Sequence, residues 1–294
     1  MNRVLITGGC GFIGVNLVQQ LIDKNDKVYV LDNNSSGDNF IKNKLAKYYD
    51  VDVSQVTDYD FFVEGVIDYV VHLAALPRIQ FSLKNPDKVF DANMIGTKNV
   101  TAWCAKNKIP LVFAGTSSVH GDKLVNPYTA TKYLGEELIK MYCLLYDLDA
   151  SILRFYNVYG EPNTYQDDYG LVMTIFEKQF KNNEPLTITG DGNQRRDFTH
   201  VSQICDGIIK AGVAMKSSFI SGLSEFELGT GQNYSINELA KLFDHPIKYI
   251  PARSGEMLST FADNKKAKKV LAWDPKDLLP EFVEYIQNKY KNKK

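Results

Sequence analysis

The sequence predicts an α/β fold, a doubly wound parallel sheet with a smaller mixed α/β lobe attached. Three observations carry this reading. Short runs rich in Val, Ile and Leu alternate with longer segments of helical period, and a glycine-rich turn joins the first run to the first helical segment. After Gly160 the alternation gives way to a polar, turn-rich stretch and then to shorter elements that mix helix and strand. Residues 3–7, 27–31, 69–73, 110–114 and 151–155 read as strands buried on both faces, and strands of that kind belong to parallel sheets with right-handed helical crossovers. The division expected is a first domain over residues 1–158, joined by returning segments near 199–230, and a lobe built mainly from residues 159–294.

The first strand runs straight into Thr7-Gly8-Gly9-Cys10-Gly11-Phe12-Ile13-Gly14, and a helical pattern continues to about Lys24. Gly8, Gly11 and Gly14 can supply a tight turn, close approach of backbone N–H groups to a diphosphate, and close packing of helix on strand. A glycine turn alone is also compatible with a plain connection. Its place between a strand and a helix, with Asp32 at the end of the next strand, makes it a Rossmann dinucleotide site. The Asp32 carboxylate can accept from a ribose hydroxyl and would repel a 2′-phosphate. Asn33, Asn34, Ser35 and Ser36 follow with no Arg or Lys, so the expected cofactor is NAD, with Asn33 and Ser36 beside it.

Further along, Asn126 suits a helix N-cap and Pro127 the first helical position, which places Tyr128 and Lys132 one turn apart on one face. A phenol is a poor base at neutral pH, but a neighbouring ammonium and the positive end of a helix favour the phenolate. The pair then becomes a general base. One strand earlier the chain reads Thr116-Ser117-Ser118 where a parallel strand ends, and ligands of open α/β sheets collect at such ends. A hydroxyl there can relay a substrate proton to Tyr128. It can equally satisfy its own turn.

A formal charge of -1, with Lys and Arg spread along the chain, leaves no basic footprint for nucleic acid. The apolar runs are strand-sized, no export signal opens the chain, and the expected location is cytoplasmic with no membrane partner. Cys10, Cys104, Cys143 and Cys205 lie far apart without metal-ligand spacing, so they read as ordinary thiols and no metal is expected.

Together with His72-Leu73-Ala74-Ala75, Asn93, Thr116 to Gly121, Tyr128-x-x-x-Lys132 and Arg154-Phe155-Tyr156-Asn157-Val158-Tyr159-Gly160, these motifs resemble the extended short-chain dehydrogenases that modify nucleotide sugars. The likeness continues through Gly190-Asp191-Gly192-Asn193-Gln194-Arg195-Arg196-Asp197-Phe198, Arg253-Ser254-Gly255-Glu256 and Ala262-Asp263. The resemblance implies that Asp52 and Val53 meet the adenine. Leu73, Ala74 and Ala75 would line the cofactor's ribose and phosphates, and Asn93 would lie near the catalytic turn. Lys132 would hold the nicotinamide ribose, with Phe155 near the nicotinamide. It also implies Thr116 as the catalytic hydroxyl, and Asn157, Arg196 and Arg253 as holders of the substrate's diphosphate and nucleotide. The candidate substrate set is completed by Arg78, Ser82, Ser117, Ser118, Glu256 and Thr260.

Dehydratases of this family place an Asp-Glu pair directly after the catalytic threonine, and the decarboxylating relatives tend to carry a Glu there. This chain has Ser117 and Ser118, so the resemblance implies 4-epimerisation of a UDP-sugar through a 4-keto intermediate, closest to the UDP-glucose and UDP-N-acetylglucosamine 4-epimerases. Thr260 falls at the position whose size sets acceptance of a 2-N-acetyl group. Its small side chain implies UDP-GlcNAc/UDP-GalNAc together with UDP-Glc/UDP-Gal. UDP-glucuronic acid or its N-acetyl form is the alternative, with Arg78 as the partner of its carboxylate; a dehydratase, a reductase or an NAD-binding scaffold or sensor are the remaining readings. The family commonly forms homodimers through helices corresponding to residues 93–107 and 128–146. Two departures stand out. His120 replaces the family's usual Tyr and implies altered packing, and the connection from Gly121 to Tyr128 is shorter than in typical relatives.

Overall fold

The computed structural model describes residues 1–35, 42–162, 171–252 and 258–291. Strand β1 (Arg3–Thr7) leads through the glycine turn into helix α1 (Phe12–Asp23), and β2 (Lys27–Asp32) returns parallel to β1 with Arg3 opposite Lys27. Strand β3 (Lys47–Asp50) extends the sheet outward from β2. Its sequence Lys-Tyr-Tyr-Asp lacks an aliphatic run because it is an edge strand with neither face fully covered. The chain then crosses to the other side of β1, where β4 (Tyr69–His72) is buried throughout.

Helices α2 (Ile79–Lys84) and α3 (Pro86–Phe90) and a π-helical turn over Asp91–Ile95 feed α4 (Gly96–Asn107). Strand β5 (Leu111–Thr116), helix α5 (Pro127–Tyr146) and strand β6 (Ala150–Phe155) follow. Asn126 caps α5 as its sequence predicts, its side chain accepting from Thr129 N at 2.9 Å with Pro127 in the first turn. Such a cap is worth about 1 kcal/mol. Here it fixes where the helix starts, and so where Tyr128 and Lys132 project.

Beyond β6 come β7 (Val158–Tyr159), α6 (Val172–Lys181), β8 (Leu186–Thr189), β9 (Arg195–Arg196) and β10 (Thr199–His200). Helix α7 (Val201–Lys216) then packs against α1 and the sheet, and β11 (Leu223–Leu228) pairs parallel with β6. The remaining elements are β12 (Tyr234–Ser235), α8 (Ile236–Leu242), β13 (Ile247–Ile250), α9 (Lys265–Leu271) and α10 (Leu279–Lys291). The main sheet has the order β11-β6-β5-β4-β1-β2-β3, parallel throughout, and it reverses direction of growth between β1 and β4. Ligands of such sheets bind in the crevice at that switch point.

Three apolar clusters hold these parts. One face of the sheet is sealed by α1, α7 and Trp273, the other by Trp103, Cys104, Ile139 and their neighbours from α4 and α5. A third cluster, around Phe176, Ile188, Phe243 and Ile286, is built from residues that follow β6 in the chain. Ile204 and Ile208 on α7 are fully buried, each contributing about 1.5–3 kcal/mol. Among the described residues no helix is long and apolar enough to cross a membrane.

Candidate active site

The crevice at the switch point holds about 1060 Å³ of open space. Gly8 adopts φ +72°, and a Cβ there would lie 2.5 Å from Ala74 N, so only glycine lets the turn meet the segment after β4. Helix α1 begins at Gly11 with no side-chain cap and no acidic residue in its first turn. No side-chain cap and no acidic residue of the helix therefore competes there with an anion in the crevice. Asp32 closes this end: its Oδ2 accepts from Cys10 N and its Oδ1 from Asn34 N, both at 2.8 Å. Burial lifts its pKa above the usual carboxylate range, with the two backbone donors working against that. Asn33 and Asp52 form one unit, the amide of Asn33 donating to Asp52 Oδ2 at 3.0 Å while Ser54 holds Oδ1.

Phe12, Ile13 and Gly14, then Val53, Leu73, Ala74 and Ala75, line the crevice between these ends, and Tyr128, Lys132 and Phe155 line its far end. Leu31, Leu76, Pro77 and Gly115 are among the further lining residues to which the sequence assigns no role. Asn93 is not in the wall but behind it. Its Oδ1 accepts from Leu76 N at 2.8 Å and its Nδ2 donates at 3.1 Å to Thr131 Oγ1, which donates to Pro127 O. Asn93 thereby ties the crevice wall to the first turn of the Tyr128 helix. Ser36 lies outside the described residues.

Lys132 is buried, with Nζ 4.0 Å from the centroid of the Phe113 ring. Burial pulls its pKa down to about 8, opposed by Glu136 one turn on. Glu136 in turn is clamped by Arg154, whose Nη2 lies 2.6 Å from its Oε2. Beneath the crevice, His72 bridges Thr7 Oγ1 (2.6 Å) and Thr97 Oγ1 (3.0 Å). Burial and the nearby Lys132 push its pKa down to about 3, so the ring is neutral and one nitrogen donates while the other accepts. No role for His72 or Glu136 is legible in the sequence, although Glu136 follows Lys132 at a spacing that puts both on one helical face.

On the substrate side, Thr116 ends β5 and caps a short 3-10 turn, its Oγ1 accepting from Ser118 N at 3.2 Å. The wall reaches Gly115 but not Thr116, Ser117 or Ser118, which flank it. Asn157, at φ +24°, donates from Nδ2 to Asp197 O at 2.9 Å and to Thr260 Oγ1 at 3.4 Å. Thr260 N donates to Arg195 O, beside Arg196 on β9. Three expected residues, Asn157, Arg196 and Thr260, are thus brought into one neighbourhood. What gathers them is Asp197, a fully buried carboxylate that accepts from Thr230 N and Oγ1, Gly231 N and Ala262 N. Burial raises its pKa against those four donors. Asp197 stood in a motif noted in the sequence, but nothing local marked it as the hub. Arg78 precedes α2 and Ser82 is buried with its hydroxyl donating to Ile79 O at 2.7 Å; neither lines the crevice. Arg253 and Glu256 lie outside the described residues.

The model of the NAD dependent epimerase/dehydratase family matches residues 4–219. The chain belongs to this family. Members similar to it along their whole length include the putative UDP-glucose 4-epimerase of Methanocaldococcus jannaschii, 33% identical over 98% of both chains. The UDP-glucuronate 4-epimerase of Thermodesulfobacterium geofontis is 32% identical over 98% of this chain and 96% of its own. Among solved structures, the UDP-N-acetylglucosamine 4-epimerase of Methanobrevibacter ruminantium, in complex with UDP-N-acetylmuramic acid, superposes with a TM-score of 0.88 at 27% identity, covering 100% of this chain and 99% of its own. NAD is the cofactor of this enzyme family, and the uncapped α1 terminus, the room beside Gly11 and the Asp32 carboxylate at the end of β2 fit it.

Proposed function

We propose that Tyr128, Lys132 and Thr116 carry out the NAD-dependent interconversion of carbon-4 epimers of UDP-sugars. One observation carries the reaction class. Among the described residues, the carboxylates in the crevice wall are Asp32 and Asp52, both at the end away from Tyr128. Among the described residues that line the crevice, no carboxylate stands at the Tyr128 end to eliminate water, and without one an oxidised sugar can only be reduced again.

NAD, when bound, supplies the two-electron chemistry at carbon 4. Tyr128 takes the proton of the 4-hydroxyl, directly or through Thr116, as the carbonyl forms. Lys132 favours the phenolate because a buried ammonium on the same helical face stabilises its negative charge. The 4-keto sugar then turns over within the site, is reduced on its opposite face, and receives its proton back from Tyr128. Asn157 and Arg196 hold the UDP diphosphate, for which a guanidinium fork is suited.

The small Thr260 beside Asn157 supports UDP-GlcNAc/UDP-GalNAc as substrates, with UDP-Glc/UDP-Gal also accepted. Leu134, Met141, Leu144 and Leu145 leave an exposed apolar stripe on α5, which supports a homodimer through α4 and α5. The direct test is to incubate the purified protein with UDP-N-acetylglucosamine and, separately, UDP-glucose and to follow the anomeric protons by NMR. Appearance of the carbon-4 epimers, faster for the N-acetyl sugar, is expected. No epimer from either sugar with NAD supplied would remove this reading and turn attention to UDP-glucuronic acid.

A further inference from the structure

The turn that carries Thr116 ends at His120. His120 Nε2 lies 2.8 Å from Glu227 Oε1. A carboxylate can only accept, so Nε2 carries the proton. The imidazole also stacks on Tyr156, with ring centroids 6.5 Å apart and planes at 27°. The other Glu227 oxygen, Oε2, accepts from the Tyr156 hydroxyl at 2.9 Å and from Asp263 N at 2.7 Å.

Glu227 sits near the end of β11, and through these contacts one carboxylate joins three segments. The first is the turn with Thr116 and Ser118, the second the stretch from Phe155 to Asn157, and the third the stretch from Thr260 to Asp263. Each contributes a residue assigned above to cofactor or substrate. Burial alone would raise the Glu227 pKa, but its donors, His120 foremost, outweigh that and hold it below the usual carboxylate range. The acceptor therefore stays ionised at neutral pH. A lone, half-exposed ion pair contributes little to stability. This pair is one corner of a network, and its effect is on geometry. The short connection after Gly121 leaves Leu124 and Val125 exposed, so those side chains do not brace the turn from above.

We propose that His120 and Glu227 are positioning residues for the reaction, holding the Thr116 turn in register with the segments that carry Asn157 and Thr260. The proposal rests on Thr116 being the hydroxyl that handles the 4-OH proton. Misplacing such a group by a fraction of a bond length slows turnover without loosening the UDP grip made elsewhere.

The test compares H120L, H120Q, T116A and the double variant H120L/T116A for kcat and KM with a UDP-sugar, alongside NAD content. H120L is expected to lower kcat about ten-fold at nearly constant KM. H120Q, whose amide can still donate to Glu227, is expected to recover most of that loss. Adding H120L to T116A should change kcat by less than about two-fold, because the clamp then has no hydroxyl to position. If H120L folds poorly, H120A, which also removes the donor to Glu227, takes its place with the same expectations. An unimpaired H120L beside an impaired T116A overturns the clamp alone, as does a full additional loss in the double variant. A T116A enzyme with wild-type kcat overturns the role of Thr116 and the clamp with it.

Discussion

The two walls of the active site are built by different means. The cofactor wall is made of strand ends and the backbone of one turn: Gly8, Gly11 and Gly14 shape it, and Asp32 ends the next strand. The substrate side is assembled from Asn157 after β6, Arg196 on β9 and Thr260, which are drawn together by hydrogen bonds to and around Asp197. A wall of sheet backbone tolerates change in its side chains but not in its glycines. A wall of converging segments fails when its buried hub fails.

The largest effect is expected at the meeting point of the two walls. Tyr128→Phe should lower kcat by about 10²–10⁴-fold while the purified protein still carries NAD, measured by extraction of the nucleotide. On the cofactor wall, a Cβ on Gly14 would lie 2.5 Å from Gly8 O and 2.6 Å from Gly9 C, both backbone atoms that cannot swing aside. Gly14→Ala should therefore destabilise the protein by about 1–3 kcal/mol in urea unfolding and deplete bound NAD. On the substrate side, Asp197→Asn replaces one acceptor oxygen by a donor facing N–H groups, at a cost of about 1–3 kcal/mol. It should raise KM for the UDP-sugar while NAD stays bound. If Asp197→Asn instead emptied NAD, or Gly14→Ala changed only KM, the division between the two walls would not hold.

The smallest effect is a pH dependence. The folded chain holds Lys132 at about 8, against an ordinary value of 10.5. Between those values the unfolded chain binds more protons than the folded one, so this residue makes stability rise with pH across that window and fall again as pH drops towards 8. The rise from pH 8 to 9 should be about 1 kcal/mol or less and should be missing in Lys132→Met, read from urea midpoints at the two pH values.

The same contrast explains what the sequence reveals. The Tyr128–Lys132 pair and its Asn126 cap are legible because cap, proline and one-turn spacing are all local. The strands over 69–72 and 150–155 are legible because burial on both faces places apolar neighbours side by side, Val70-Val71 in one and Ile152-Leu153 in the other. Strand β3 is not, since a half-covered edge needs no such pair. Asp197 could not be read as a hub, because Thr230 and Ala262 lie 33 and 65 positions along the chain. His120 was visible as a departure from the family pattern, but its partner Glu227 is supplied by a strand that only the sheet topology brings beside β6. Ser82 reads as a polar residue near the substrate and is instead buried with its hydroxyl bonded inside its own helix.

In the proposed mechanism the hydrogen removed from carbon 4 is the one returned to it. The most direct measurement uses UDP-N-acetylglucosamine carrying deuterium at carbon 4, converted by the enzyme in ordinary water, with the product analysed by NMR and mass spectrometry. Deuterium retained at carbon 4 of the epimer, with no lasting change in nicotinamide absorbance, is the predicted result. Loss of the deuterium to solvent, or accumulation of a keto sugar with reduced cofactor, would contradict it.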